Sequence, residues 1–405
     1  MHYASLAAEV PLPEEVGLLS RLFDEGGREL LAVGGVVREW LFHVLHGQPF
    51  APKDTDLATD ASPDEIVGIL SGPKARKEGI KVFPKGESFG VISAVLKGQE
   101  YEIATYREEW YDPESGDGRR PDKVRFSNAA KDASRRDFTM NALFYDPLMK
   151  EIRDYNLNEE GEGQGFEDIK AKRVRFVGNA KERIREDRLR ILRLLRFDAR
   201  FNLGDIVPRL DQGTLEAVAE YRHLPGISGE RIVNEFLAGL GKCLCPESYL
   251  RNYAGLSMFP AVLPGLNVAG VERVDCRNAK AILAWLLRDS EPKSVKKRLN
   301  ELKWPSDVFG QVEFLLQLYR FDPRKVFQYL QRRDIWKQTD DLAKKDEMEQ
   351  DICDFAGMAG SWELRHFVSY QGVARSQDFL HLKGAEIGKA IAQAEMEAYL
   401  KSKAP

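Results

Sequence analysis

With 405 residues, 43% of them hydrophobic and 31% charged, the chain exceeds what one core holds and has the composition of a globular protein of roughly two to four domains. A net charge of -4 argues against an indiscriminate nucleic-acid coat but leaves room for a local basic patch. No apolar run reaches the roughly 18–20 residues a bilayer demands, and residues 1–16 hold no basic segment followed by an apolar core, so neither a membrane span nor a secretory leader is expected.

In chain order, Leu30 to Val33 reads as a short apolar strand ending in the pair Gly34-Gly35, and Val36 to Leu45 as a helix stopped by Gly47 and Pro49. Asp54 to Thr59 is the next predicted strand. Ser62-Pro63-Asp64-Glu65 has the serine cap, early proline and later glutamate of a helix start. Val91–Leu96 and Tyr101–Tyr106, joined by residues 97–100, predict a β-hairpin. Residues 108–121 are polar and rich in turn formers, the pattern of a lid or a disordered loop. Beyond about residue 166 strand signals fade. Ala180 to Arg200 predicts one long helix with Ile184, Leu189, Leu192 and Leu195 on its apolar side, and the remainder reads helical, broken at prolines 225, 260, 264, 305 and 323. From Lys172 to Arg200 basic residues outnumber acidic ones, the expected local patch. Cys243, Cys245, Cys276 and Cys353 form no C-x-x-C pair and have no histidine cluster near them, which fits reduced thiols of a cytoplasmic protein better than a zinc site. The fold class expected is α+β: a mixed sheet with helices, followed by an elongated all-α remainder.

Four groups of residues carry chemistry. Gly34 and Gly35 permit close backbone approach to phosphate oxygens, and Arg38 follows them. Asp54 and Asp56 form a D-x-D; on a strand both carboxylates share a face, the usual way to hold divalent ions in phosphoryl transfer. A single D-x-D is also common in solvated turns, so order and context carry the reading. Arg135-Arg136-Asp137-Phe138-Thr139-Met140-Asn141 joins forked cations to a carboxylate and an amide four residues apart, suited to phosphates and a ribose hydroxyl or, equally, to an internal ion pair. Glu186-Asp187-Arg188-Leu189-Arg190, continuing to Arg193, Arg196 and Phe197, sets an acceptor three residues before a donor on a helix, with Glu186 steadying Arg190. Such a pattern reads a base edge, although isolated ion pairs of this kind also decorate ordinary helices.

In this order and spacing the four elements resemble the class II tRNA nucleotidyltransferase and bacterial poly(A) polymerase family, within the polymerase-β-like nucleotidyltransferases. The resemblance runs over about residues 30–235, including Ile227 to Ile232, and is weak afterwards apart from residues 382–389. It implies a polymerase-β-like catalytic head over 1–146, a neck with base recognition over 147–240, and a helical body and tail over 241–405 that binds tRNA at its acceptor stem and elbow. It further implies that Asp54 and Asp56 hold two Mg²⁺ ions, with Glu102 a candidate third carboxylate. Gly34, Gly35 and Arg38 would meet the triphosphate. Arg136, Asp137 and Asn141 would serve sugar and phosphates, and Arg107 would stand at the nucleotide. Glu186, Asp187, Arg190, Arg193 and Arg196 would form the nucleotide-reading helix, and Arg119 and Arg120 would belong to a flexible loop. One departure is visible: Glu39 stands where the family usually has aspartate.

Three activities share this scaffold. Enzymes of the family that add only C's have a shortened loop after the arginine equivalent to Arg107; here residues 107–122 are long. The 87–92 and 101–107 segments resemble CCA- or A-adding enzymes more than poly(A) polymerases, no basic C-terminal extension is seen, and no His-Asp dyad marks a phosphohydrolase domain. The expectation is therefore addition of C, C and A to the tRNA 3′ end from CTP and ATP, with A addition alone or poly(A) synthesis as the alternative, and with no membrane or DNA partner.

Overall fold

The computed structural model describes residues 2–52, 54–83, 90–110, 123–333, 342–373, 381–383 and 385–402. The chain divides into two compact units, one of residues 1–202 with 206–227 and the other of 203–205 with 228–405.

The first unit is built on an eight-stranded mixed sheet. Its strands are β1 (Ala4–Ala7), β2 (Leu30–Val33), β3 (Asp56–Thr59), β4 (Lys81–Phe83), β5 (Val91–Leu96), β6 (Gln99–Thr105), β9 (Leu143–Asp146) and β10 (Glu151–Asp154), in the order β1-β10-β9-β2-β3-β6-β5-β4. β7 (Arg107–Trp110) and β8 (Lys123–Phe126) form a separate antiparallel pair. Among the described residues of the large sheet, only β3 and β6 pair in parallel. β2 is buried along its whole length, which is why four consecutive apolar residues suffice to place it at the centre.

Several elements fall where the residues put them. The strand Leu30–Val33 is observed, and the helix after the glycine pair spans Gly35–His46. Ser62 and Glu65 close a reciprocal capping box on the helix Pro63–Leu70. The hairpin is tighter than the spacing predicts: Lys97 (φ 49°) and Gly98 (φ 85°) alone make the turn, and β6 already begins at Gln99.

Other expectations are corrected. β3 begins at Asp56, so Asp54 precedes the strand instead of opening it. Residues 107–110 are not loop but strand, paired with Lys123–Phe126; residues 111–122 lie outside the described residues. The single helix expected over 180–200 is two, Ala180–Glu186 and Arg190–Phe201. The break has a local cause: Asp187 is extended (φ -149°, ψ 104°), and its carboxylate accepts the Leu189 N–H at 3.0 Å, starting the next helix afresh.

The second unit is helical, with no strand among its described residues. The helices Gly229–Lys242 and Pro246–Gly255 share an aromatic core in which Phe236, Tyr249, Tyr253 and Trp304 meet edge to face, and the Tyr249 hydroxyl donates to the Phe236 carbonyl at 3.1 Å. Farther along, buried Arg333 donates to the carbonyls of Phe367 and Tyr370, at 2.8 and 2.7 Å, fastening the helix Val326–Arg333 to the end of Trp362–Ser369.

Candidate active site

Sheet register builds the centre of the first unit. Asp56 pairs with Val33, the residue just before Gly34, so the D-x-D and the glycine turn emerge side by side from neighbouring strands. Gly34 has φ 69°, a conformation that disfavours side chains, and a Cβ there would come within 3.3 Å of Arg136 Nη1. The turn is thus bare backbone beside a guanidinium, and the helix Gly35–His46 points its N-terminus at the same place.

Asp54 and Asp56 are both exposed. Protein mass around the Asp56 carboxyl raises its pKa; the Arg136 charge opposes this, and the neighbouring Asp54 charge adds to it. Glu102 precedes Ile103, which pairs with Leu57, so by strand alternation Glu102 and Asp56 share a sheet face. Among the described residues no group of three or more His, Cys, Asp or Glu side chains converges on a metal position.

Arg136, Asp137, Asn141, Arg38 and Arg193 come together as one network. Arg38 is buried and donates to Asn141 Oδ1 and, at 3.1 Å, to Glu39. Asn141 Nδ2 donates to Asp137 Oδ1 at 2.9 Å, and Arg193 grips Asp137 Oδ2. Burial lowers the Arg38 pKa to about 10 despite the Glu39 charge beside it. Glu39, the departure from the family pattern, reaches both Arg38 and, at 2.9 Å, Arg200.

A second network surrounds Arg190. Its Nη1 donates to Glu186 at 2.6 Å and to the Arg183 carbonyl at 2.9 Å, and its Nη2 to the Arg135 carbonyl at 3.1 Å. Asp187, expected on a helix face with Arg190, sits in the inter-helix turn described above. Arg107 lies against Glu109 at 2.8 Å, and Arg135 joins the same carboxylate at 3.1 Å. Arg196 lies over the Phe197 ring. Arg119 and Arg120 fall outside the described residues.

The sequence reading passed over the group that organises these arginines. Asp132, 1% exposed, accepts from Arg135 at 2.7 Å, from Arg136 at 2.9 Å and from the Arg107 backbone N–H at 3.3 Å. The signal was present, since Asp132 stands three and four residues before the two arginines on a helix turn. Several cations of the basic run 172–200 are held in ion pairs. Arg175 pairs with buried Asp168, Lys181 with Glu220, Arg193 with Asp137 and Arg200 with Glu39. In the cleft lined by Arg173, Arg175, Lys181 and Arg209, buried Asp168 and Asp198 and exposed Glu220 pair with the cations.

Residues 30–175 match the family described as the poly A polymerase head domain. The mitochondrial CCA tRNA nucleotidyltransferase 1 of Mus musculus is 39% identical over 221 residues, covering 53% of this chain and 44% of the mouse protein. The CCA-adding enzyme of Staphylococcus saprophyticus is 32% identical over 294 residues, 71% of this chain and 64% of that enzyme. These matches thus span between about half and two thirds of the relatives' own length. The crystal structure of the Bacillus stearothermophilus CCA-adding enzyme in complex with CTP shares the fold at a TM-score of 0.63 and 23% identity, over 97% of this chain and 94% of that one. By sequence, residues 30–175 form a poly A polymerase head domain, and the fold is similar nearly end to end to that of a CCA-adding enzyme.

Proposed function

We propose that the protein is a template-independent nucleotidyltransferase that adds C, C and A, from CTP and ATP, to the 3′ end of tRNA and releases pyrophosphate. The observation that carries this is the Val33–Asp56 register, which sets two carboxylates beside a bare glycine turn backed by Arg136. The relatives named above for CCA addition support the choice of product.

The donor set at Asp54 and Asp56 is oxygen only, exposed, and close enough for one charge to disfavour the other, which fits a hard divalent cation such as Mg²⁺, two ions being expected. When bound, Mg²⁺ would lower the pKa of the primer 3′-hydroxyl and offset charge on the triphosphate. The first turn of the helix Gly35–His46 presents backbone N–H groups to the phosphates, the Gly34 N–H being taken by the Leu143 carbonyl, and Arg38 and Arg136 add cationic donors. Asp137 and Asn141 hold Arg193 and Arg38 in place beside the sugar. Arg190, fixed by Glu186 and two carbonyls, offers its remaining donor capacity to the base, with Asp187 supplying acceptors, so that amino acids replace a template. The head is assigned to residues 1–146, the neck to 147–240, and the body and tail, binding tRNA by shape and phosphate contacts, to 241–405. RNA, not DNA, is the substrate in this reading. No described helix is long and apolar enough to cross a membrane, and a cytoplasmic location is part of the proposal.

The test is a gel assay with labelled CTP or ATP on tRNA transcripts ending before CCA, after CC and after CCA, with an unrelated RNA alongside. Three additions to the shortest transcript and none to the complete one are expected. A single A on the CC transcript alone would make it an A-adding enzyme, and long A tails on any RNA a poly(A) polymerase. Either result would overturn the CCA reading.

A further inference from the structure

The ring of Phe197 is a meeting point for guanidiniums. Cζ of Arg196, Arg38 and Arg193 lies 4.7, 4.8 and 5.5 Å from its centroid, and Phe138 meets it edge to face at 5.6 Å. Arg38 comes from the helix that follows the glycine turn, and Arg193 from the helix Arg190–Phe201. The same two arginines are tied through Asn141 and Asp137. Hydrogen bonds and ring thus link the phosphate-facing helix to the nucleotide-reading helix by two routes.

The ring does something the hydrogen bonds do not. Arg38 is 6% exposed, its two terminal nitrogens go to Asn141 and Glu39, and its Nε has no hydrogen-bond partner among the described residues. A buried guanidinium with one donor unmet loses hydration that the negative face of an aromatic ring partly replaces. A leucine would fill most of the same volume but carry no such face. Phe197 itself is 6% exposed, so this attraction acts away from water, where it is strongest.

We propose that Phe197 is a positioning residue whose π face holds Arg38 and Arg193 in the array that meets the sugar and triphosphate. The proposal rests on the nucleotidyltransferase reading above. Arg190, which faces Glu186 and backbone carbonyls, is not among the ring's partners, so Phe197 governs triphosphate affinity and not the choice of base.

The test compares the full chain carrying phenylalanine at 197 with mono-, di- and trifluorinated phenylalanine there, and with F197L and F197Y. Fluorination keeps the shape while draining the negative face. The triphosphate KM is expected to rise stepwise with fluorination, equally for CTP and ATP, in a chain that stays folded at the assay temperature. F197L should raise KM about tenfold, the range of one desolvated cation–π contact, and F197Y should stay near the parent. A KM indifferent to fluorination in an active parent would reduce Phe197 to a filler and overturn the proposal alone. A parent that adds no nucleotide would overturn the function and, with it, this role. Should F197L fail to fold, the fluorinated series still decides.

Discussion

Asp137 and Arg193 form a two-pronged ion pair, with Nε and Nη2 of the arginine each 2.7 Å from Oδ2 of the carboxylate. The other oxygen accepts the Phe138 N–H at 2.8 Å and the Asn141 amide at 2.9 Å. The carboxylate is saturated by protein donors, so its work is to hold cations in place.

This saturation gives a pH signature. Burial alone would raise the Asp137 pKa, but Arg193, Asn141 and Arg190 outweigh it and bring it down to about 2. A folded-state pKa below the unfolded one stabilises at pH above the unfolded value, and that stability is lost as pH falls toward about 2. D137N should therefore cost roughly 2–4 kcal/mol near neutrality, because it removes one partner of a mostly buried pair. The deficit should shrink steadily below about pH 4. Urea midpoints of parent and variant at neutral and acid pH measure it; a deficit constant across pH would show that the charge is not responsible.

D54A and D56A should each abolish nucleotide addition and leave tRNA affinity in a filter-binding assay unchanged at matched salt. Both side chains are exposed, so neither loss disturbs a core. In the same assay the affinity of the parent should fall steeply with salt, as phosphate contacts require. Surviving addition in either variant would remove the carboxylates from their metal-holding role.

How far the residues alone led is clearest at this site. The glycine turn and the helix Gly35–His46 were legible because each is encoded by a few adjacent residues, φ-permissive glycines and a period-3.6 apolar face, whereas the period-two reading of the D-x-D holds only from Asp56 onward, since Asp54 precedes the strand. Strands β1, β9 and β10 were not, since four-residue strands take their identity from pairing partners far away, as when Ala4 meets Asp154. The helix break at Asp187 was hidden because the apolar spacing continues through it; a carboxylate bonding its own backbone overrode the period. The role of Asp132 was legible in spacing but was masked by the more conspicuous arginine pair that follows it.

Arg190 tests base reading. Its guanidinium is anchored at three points, and a lysine could not reproduce the fork. R190K and R190A should narrow the preference between CTP and ATP and other triphosphates by about tenfold or more, the worth of a well-placed hydrogen bond to a base edge. Their effect on triphosphate KM should be smaller. Single-addition assays with each of the four triphosphates decide it: equal loss with all four would assign Arg190 to structure, joining Glu186 and the Arg135 carbonyl, and not to selection.

The helical unit carries a pH dependence of the opposite sign. Asp351 is 2% exposed; burial lifts its pKa to about 6, although Asn278 donates to it at 2.7 Å and the Lys280 ammonium lies 3.8 Å away, with Glu347 and Asp354 adding negative charge. A folded-state pKa above the unfolded one contributes stability that is fully present below the unfolded value, near 4, and is lost as pH rises through about 6. The swing is up to about 3 kcal/mol for a two-unit shift. D351N keeps an acceptor for Asn278 and carries no charge at any pH. Relative to the parent it should therefore gain stability between about pH 4 and 7 and gain nothing further above that. Urea unfolding followed by tryptophan fluorescence, to which buried Trp285 and Trp304 of the same unit contribute, reports it. A difference between parent and variant that stays flat from pH 4 to 7 would mean that Lys280 compensates the carboxylate fully, leaving burial no net effect on its ionisation.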